Sequence, residues 1–325
     1  KGPGSGLSNL NVILNVGDTD FATRGPPAGD NPCAGKKLDL PNIECINDAI
    51  DGKPQAGANV TKGYKGDMEV DVEPIDKPYW QSGLCPVNVH WHLGAEHYSL
   101  GEYDEAGKGP KSAEDDHDDH DHRKLAGEAR LGYQCRHYDA NDARFTIDYE
   151  WKHCVDMKVG ETYEVHWPHS AAGSCGTVNQ YQTPFYDGVF CNLDMDTLVT
   201  LGAQDIANNV GVQAQVFTIV NDETYYYPDL MRGMVVDGEM GSDIAYYTGS
   251  TTGTSRDNTI CSQYSPITWQ VDRKCHVVSA SSFDKMCADM KAQRDDMSDD
   301  LYAHGSRVLV ADEFAADNGK RLLRA

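Results

Sequence analysis

At 325 residues the chain can bury a sizeable core, as one large β-rich domain or as two smaller ones. Its formal charge of −23 argues against nucleic acid or anionic membrane as a partner, since both would repel it. No apolar run approaches the roughly 20 residues needed to span a bilayer, and with no signal-peptide pattern at its start the sequence is expected to be a mature or trimmed form.

Residues 1 to about 65 are rich in Gly, Pro, Asp and Asn and are expected to wrap irregularly over the core, held by Cys33 and Cys45. From Pro78 to Tyr98 the apolar alternation sharpens into a strand pattern around Val87-Asn88-Val89-His90-Trp91-His92. Residues 99–142 read as a polar, acidic His/Asp-rich insertion around His117, His120 and His122, a solvated loop by composition. Phe145–Trp151 and Tyr163–Trp167 are expected strands, followed by others at Val212–Val220, Tyr246–Tyr247, Ile267–Val271 and Val308–Val310. One clear helix is expected from Ser282 to about Leu301, capped by Ser281 or Ser282. Phe283, Met286, Cys287 and Met290 share one face of it, which reads as core packing. The economical architecture is mainly β: a single domain on a twisted, largely antiparallel sheet, with peripheral helices.

Ten cysteines are scattered without any C-x-x-C pair, so disulfides and an oxidising compartment are expected: secreted, periplasm-like or an organelle lumen. The triplet Asn59-Val60-Thr61 fits an N-glycosylation acceptor and points weakly the same way.

The chemistry is carried by histidines. His90 and His92 lie two residues apart on a strand, so both imidazoles leave the same face with Cα atoms roughly 6.5 Å apart. That suits two ligands of one tetrahedral ion, and His166, in a second aromatic-flanked strand, is the third candidate. Three histidines with an open fourth position describe a catalytic zinc. Glu164 and Asn88 share the strand faces of these histidines and are placed to orient them by hydrogen bonds.

The string VNVHWHLGAEH, then YEVHW, then GSTTGT and SPITWQV, resembles the carbonic anhydrases. The first string is most similar to the delta class of marine algae. The layout is similar to the alpha class, where an H-x-H strand, a Glu-His pair and an E-x-H strand follow in that order. The resemblance covers roughly residues 85–98, 162–169 and 246–284; residues 1–80 and 99–161 have no counterpart. It implies His90, His92 and His166 as zinc ligands and Glu96 with His97 as a buried pair. Glu96 would accept a hydrogen bond from the hydroxyl of Thr252, or of Thr251 if the register is one residue off. Trp269 would wall the pocket for carbon dioxide, although a strand tryptophan is as readily core.

The activity implied is reversible hydration of carbon dioxide to bicarbonate by hydroxide generated on zinc, with cobalt or cadmium as substitutes. No histidine precedes His90, so a proton relay must come from elsewhere: His169, His137, His153 or the His/Asp cluster. A catalytically silent, metal-binding or assembly protein of the same fold is the main alternative. A zinc esterase is a further one, although no H-E-x-x-H or G-x-S-x-G string supports a dedicated hydrolase. Oligomeric state and disulfide pairing are not legible.

Overall fold

The computed structural model describes residues 30–36, 57–68, 71–110, 131–249, 251–254, 257–261, 266–294, 297, 300–312 (without side chains at 252–261) and 315–319. The acidic histidines 117, 120 and 122, and Cys45, lie outside these residues.

The strands, in chain order, are β1 (Cys85–Pro86), β2 (His90–Leu93), β3 (Tyr103–Asp104), β4 (Gln134–Cys135), β5 (Thr162–Ser170) and β6 (Val210–Val220). Then come β7 (Ile244–Gly249), β8 (Thr252–Thr254), β9 (Asp257–Cys261), β10 (Ile267–Ser279) and β11 (His304–Gly305). A seven-stranded sheet has the order β11-β2-β5-β6-β10-β7, with β1 paired to β5. Its neighbours are mostly antiparallel, as expected, but β10 runs parallel to β6 and β11 parallel to β2. The sheet is therefore mixed. The chain leaves β6, forms β7 and returns through β10 between the two, and that crossover sets the parallel pair.

Period-two alternation divides this sheet into two chemically different faces. Val89, Trp91 and Leu93 of the β2 segment, Tyr163, Val165 and Trp167 of β5, and Phe217 and Ile219 of β6 join one core cluster. The helix α5 (Ala280–Gln293) covers this face, and Phe283 packs against Trp91, Tyr163 and Phe217 with ring centroids 6.0–6.2 Å apart. Met286, Cys287 and Met290 follow into the same cluster, so the apolar helix face is core. The other face carries Val212, Ala214 and Val216 of β6, Trp269 and Val271 of β10, and Ala245 and Tyr247 of β7. All the polar site residues of β2 and β5 emerge on that second face.

Shorter helices, α1 (Ala143–Thr146), α2 (Phe185–Val189), α3 (Met195–Leu198) and α4 (Ala203–Asn209), precede α5. Three expected elements differ. Phe145–Trp151 is not a strand: Asp142 accepts from the backbone N–H of Arg144 and caps the single turn of α1. Tyr149 and Trp151 then pack edge to face without a partner strand. The long helix starts two residues earlier, because Ser279 caps it by accepting from Ser282 N–H, and it ends at Gln293. Val308–Val310 pairs with no strand; the nearby ladder is instead β11.

Four disulfides are present among the described residues: Cys33–Cys191, Cys85–Cys175, Cys135–Cys275 and Cys154–Cys287. They are consistent with an oxidising compartment. No described helix is long and apolar enough to cross a membrane.

Candidate metal centre

β2 and β5 pair in antiparallel register with His90 opposite His166 and His92 opposite Glu164. Four polar side chains therefore share one patch of the second sheet face. The ring centroids of His90 and His92 lie 5.4 Å apart, those of His90 and His166 5.0 Å, and those of His92 and His166 4.8 Å. On the far side of β5, Ala214 stands opposite His166. A methyl group there leaves Trp269, on the next strand but one, room to set its edge against both His166 (5.3 Å) and His97 (5.1 Å). Trp269 is 3% exposed and stacks on Tyr247 at 6.0 Å, so it backs the cluster as a buried wall.

After β2 the chain turns at Gly94, whose φ of +73° favours glycine and whose Cβ would meet the backbone of Gly132 at 2.6 Å. The turn carries Glu96 and His97 back beneath β5. There Glu164, fully buried, collects donors: its Oε2 accepts from the backbone N–H of Glu96 at 2.5 Å and of His97 at 3.3 Å. Its Oε1 is bonded to Nδ1 of His97 and lies 3.3 Å from Nε2 of His166. Burial by itself would raise the Glu164 pKa, but the imidazoles of His97 and His166 outweigh it and hold the carboxyl far below the usual range. Glu164 is thus ionised, and His97 donates Nδ1–H to it. The Nε2 of His97 then accepts from the Tyr247 hydroxyl at 2.6 Å, a phenol that burial and the Glu164 charge keep protonated. A continuous chain runs from Tyr247 through His97 to Glu164, ending against His166.

His92 is oriented from the opposite side. Its Nδ1 faces the Gly305 carbonyl of β11 at 3.2 Å and Oε1 of Glu96 at 3.0 Å. Both are acceptors, so Nδ1 carries the proton and Nε2 carries the lone pair. Among the described residues that Nε2 is buried with no hydrogen-bond partner, as is Nε2 of His166, which lacks hydrogen-bond alignment to Glu164. An unpartnered buried imidazole nitrogen is costly unless something binds it. Burial and the surrounding imidazoles push His90 and His92 well below the ordinary imidazole range, so both are neutral at pH 7, the form that ligates metals. The donor set fits a borderline-soft divalent ion such as zinc. Among the described residues, three groups hold one ligand atom from each member within 4.8 Å of the others: His90, His92 and His304; His92, Glu96 and His166; His97, Glu164 and His166.

Other residues singled out from the sequence fall as follows. Glu96 is 4% exposed; burial raises its pKa, and its Oε1 also accepts from Arg307 N–H at 3.3 Å. Asn88 is buried, but its Nδ2 donates to the Gln182 carbonyl (2.6 Å) and to Asp300 (3.1 Å), tying β2 to neighbouring loops. Thr251 is buried close to the end of β7, whereas the side chain of Thr252 lies outside the described residues. His169 sits on the other sheet face: its Nδ1 is bonded to the Trp167 carbonyl and its ring packs on Tyr79. Burial lowers its pKa to about 4. His137 Nε2 bonds the Cys275 carbonyl, and His153 N–H donates to Asp284. None of these three joins the imidazole cluster.

Two participants carry no motif in the sequence. His304 comes onto the face through parallel pairing of β11 with β2, opposite His92. Tyr247 was visible as strand, but its hydroxyl contact with His97 follows only from the register of β7 on β10.

A family model described as delta carbonic anhydrase matches residues 81–282, more than half of the chain. Among solved structures, carbonic anhydrase Cah3 from Chlamydomonas reinhardtii in complex with acetazolamide aligns at 11% identity. That alignment covers 88% of this chain and 96% of the other, with a TM-score of 0.30. No curated protein matches the sequence significantly.

Proposed function

Since the chain belongs to the delta carbonic anhydrase family, we propose that it catalyses the reversible hydration of carbon dioxide to bicarbonate and a proton at a zinc ion held by His90, His92 and His166. The observation that carries this reading is the Nε2 of His92: buried, neutral, without a hydrogen-bond partner, and with its Nδ1 pinned by Gly305 and Glu96. When bound, zinc supplies the Lewis acidity that lowers the pKa of water from 15.7 to about 7, a value general to carbonic anhydrases.

This chain's residues hold that chemistry in place. Glu164, ionised and anchored by two backbone N–H groups and His97, sets its negative charge 3.3 Å from Nε2 of His166. Gly305 and Glu96 orient His92. The role carried over from the family gives Thr252, or Thr251, the hydroxyl that bonds Glu96 and selects a proton-donating nucleophile. Trp269 closes the rear of the cluster with an apolar wall, which suits a substrate with no net dipole. Proton release through His169 would have to cross the sheet, because that ring lies on the α5 side. Cobalt suits the same imidazole donors, and cadmium is the other expected substitute. We place the protein in an oxidising compartment, whether secreted, periplasm-like or an organelle lumen, supported by the four disulfides.

Stopped-flow carbon dioxide hydration, with metal content measured on the same sample, tests the proposal. Rapid turnover at about one zinc per chain that is lost with His166→Ala supports it. Stoichiometric zinc without turnover would make the chain a silent metal-binding relative.

A further inference from the structure

The triplet Asn59-Val60-Thr61 is the sole N-x-S/T sequence in the chain, and the fold treats its three members differently. The segment lies extended beside the residues that follow Glu96 and His97. Val60 N–H donates to the Tyr98 carbonyl at 2.8 Å, and Tyr98 N–H donates to the Ala58 carbonyl at 3.3 Å. Successive side chains of extended backbone point to opposite sides. Val60 is fully buried in the core of the second sheet face, whereas Asn59 and Thr61 leave the other way and are partly exposed.

Asn59 is held without the use of its amide nitrogen. Its carbonyl accepts from Asn318 Nδ2, and its Oδ1 accepts from Thr61 N–H at 3.0 Å, so the side chain folds back on its own backbone. Among the described residues Nδ2 of Asn59 donates to nothing, nor is it one of the buried polar atoms left unpaired, so it faces solvent. Thr61 Oγ1 accepts from Leu100 N–H at 2.9 Å, which leaves its hydroxyl proton to donate. The chain then enters a turn closed by Tyr64 N–H on the Thr61 carbonyl, in which the Lys62 side chain is 81% exposed. A substituent on Nδ2 leaves the packing of Val60 and the backbone bonds of the segment as they are.

We propose that Asn59 carries an N-linked oligosaccharide, a bulky polar group that belongs on a surface. The donor is an oligosaccharide carried on a lipid pyrophosphate. Asn59 Nδ2 attacks the anomeric carbon, and the new N–C bond forms as the C–O bond to the pyrophosphate breaks. The lipid pyrophosphate leaves and the amide gives up one proton. The hydroxyl of Thr61 completes the acceptor pattern. The inference rests on the oxidising-compartment reading of the four disulfides and is independent of the zinc.

For the test, the full chain is secreted from a eukaryotic cell and its free thiols are titrated. Its peptides are then mapped by mass spectrometry after peptide-N-glycosidase treatment in heavy-oxygen water, which converts a glycosylated asparagine into labelled aspartate. The expected result is one downward step in gel mobility mass on treatment, with the label at Asn59 alone. Asn59→Asp keeps the Oδ1 acceptor for Thr61 N–H and removes the amide, so the step should vanish. Thr61→Val should abolish it with Asn59 intact, and Thr61→Ser, which keeps the hydroxyl, should retain it. The wild-type peptide map answers the question even where a variant fails to fold. A disulfide-bonded chain with unmodified Asn59, or a step that persists in Asn59→Asp, would overturn the inference and leave the compartment reading standing. A chain whose cysteines stay reduced throughout would overturn both.

Discussion

Replacing Glu164 by glutamine keeps the shape of the side chain and removes its charge. The carboxylate accepts from Glu96 N–H at 2.5 Å, from His97 N–H at 3.3 Å and from the His97 imidazole, all in a fully buried site. A glutamine carbonyl can keep one cluster of these donors, but its NH2 group meets the remaining imidazole N–H as donor against donor. Hydrogen bonds to charged groups are worth about 1.5–3 kcal/mol each, and opening a buried charged pair from one side costs about 3–5 kcal/mol. With roughly 2 cal/mol/K of unfolding entropy per residue over 325 residues, that loss lowers Tm by about 4–7 °C. The same change removes the negative charge beside Nε2 of His166, and zinc affinity should drop about 10–100-fold. Differential scanning fluorimetry of the zinc-free protein and chelator competition read the two effects separately. A variant whose Tm stays within about 1 °C and whose zinc affinity stays within about twofold would refute the reasoning, because Glu164 would then be neither a buried charge sink nor a charge that supports the metal site.

Thr252→Ala should leave zinc content intact and lower kcat for carbon dioxide hydration; if Thr251→Ala does so instead, the hydroxyl belongs to the preceding residue. Asp272 is buried and accepts from Gln215, Gly241 N–H and His276; although burial opposes ionisation, His276 and Gln215 hold its pKa below normal. A depressed folded pKa means that its stabilisation is complete above the unfolded value of about 3.9 and is lost as pH falls through the folded one. Asp272→Asn should therefore lower Tm by several degrees at pH 7, and the gap to wild type should narrow below about pH 4; a gap independent of pH would refute the charge argument. Cys154 and Cys287 join the loop before β5 to α5 across 133 residues of sequence. In the chain-entropy account this cross-link is worth about 5 kcal/mol, so Cys154→Ser with Cys287→Ser should lower the urea midpoint markedly, and an unchanged midpoint would show that the helix holds its place without it.

The local sequence determined the parts of this site that depend on period. Val87–Leu93 and Tyr163–Trp167 alternate, and alternation alone puts His90 with His92, and Glu164 with His166, on one side of their strands. The helix face of Phe283, Met286, Cys287 and Met290 was legible for the same reason, since helical period assigns it to the core. The antiparallel register of His90 with His166 was not legible, because which strand pairs with which is decided by packing over the whole sheet. Phe145–Trp151 shows the limit of alternation, because a pattern becomes a strand only when a neighbour exists to take its backbone hydrogen bonds, and Asp142 had already closed a turn. His304 marks the limit most clearly. It lies 212 residues after His92 in a segment with no strand pattern, and only the parallel pairing of two residues with β2 brings it to the imidazole cluster. Periodicity is a property of the chain, whereas the meeting of β11 with β2 is a long-range contact whose closure is driven by the burial of everything between them.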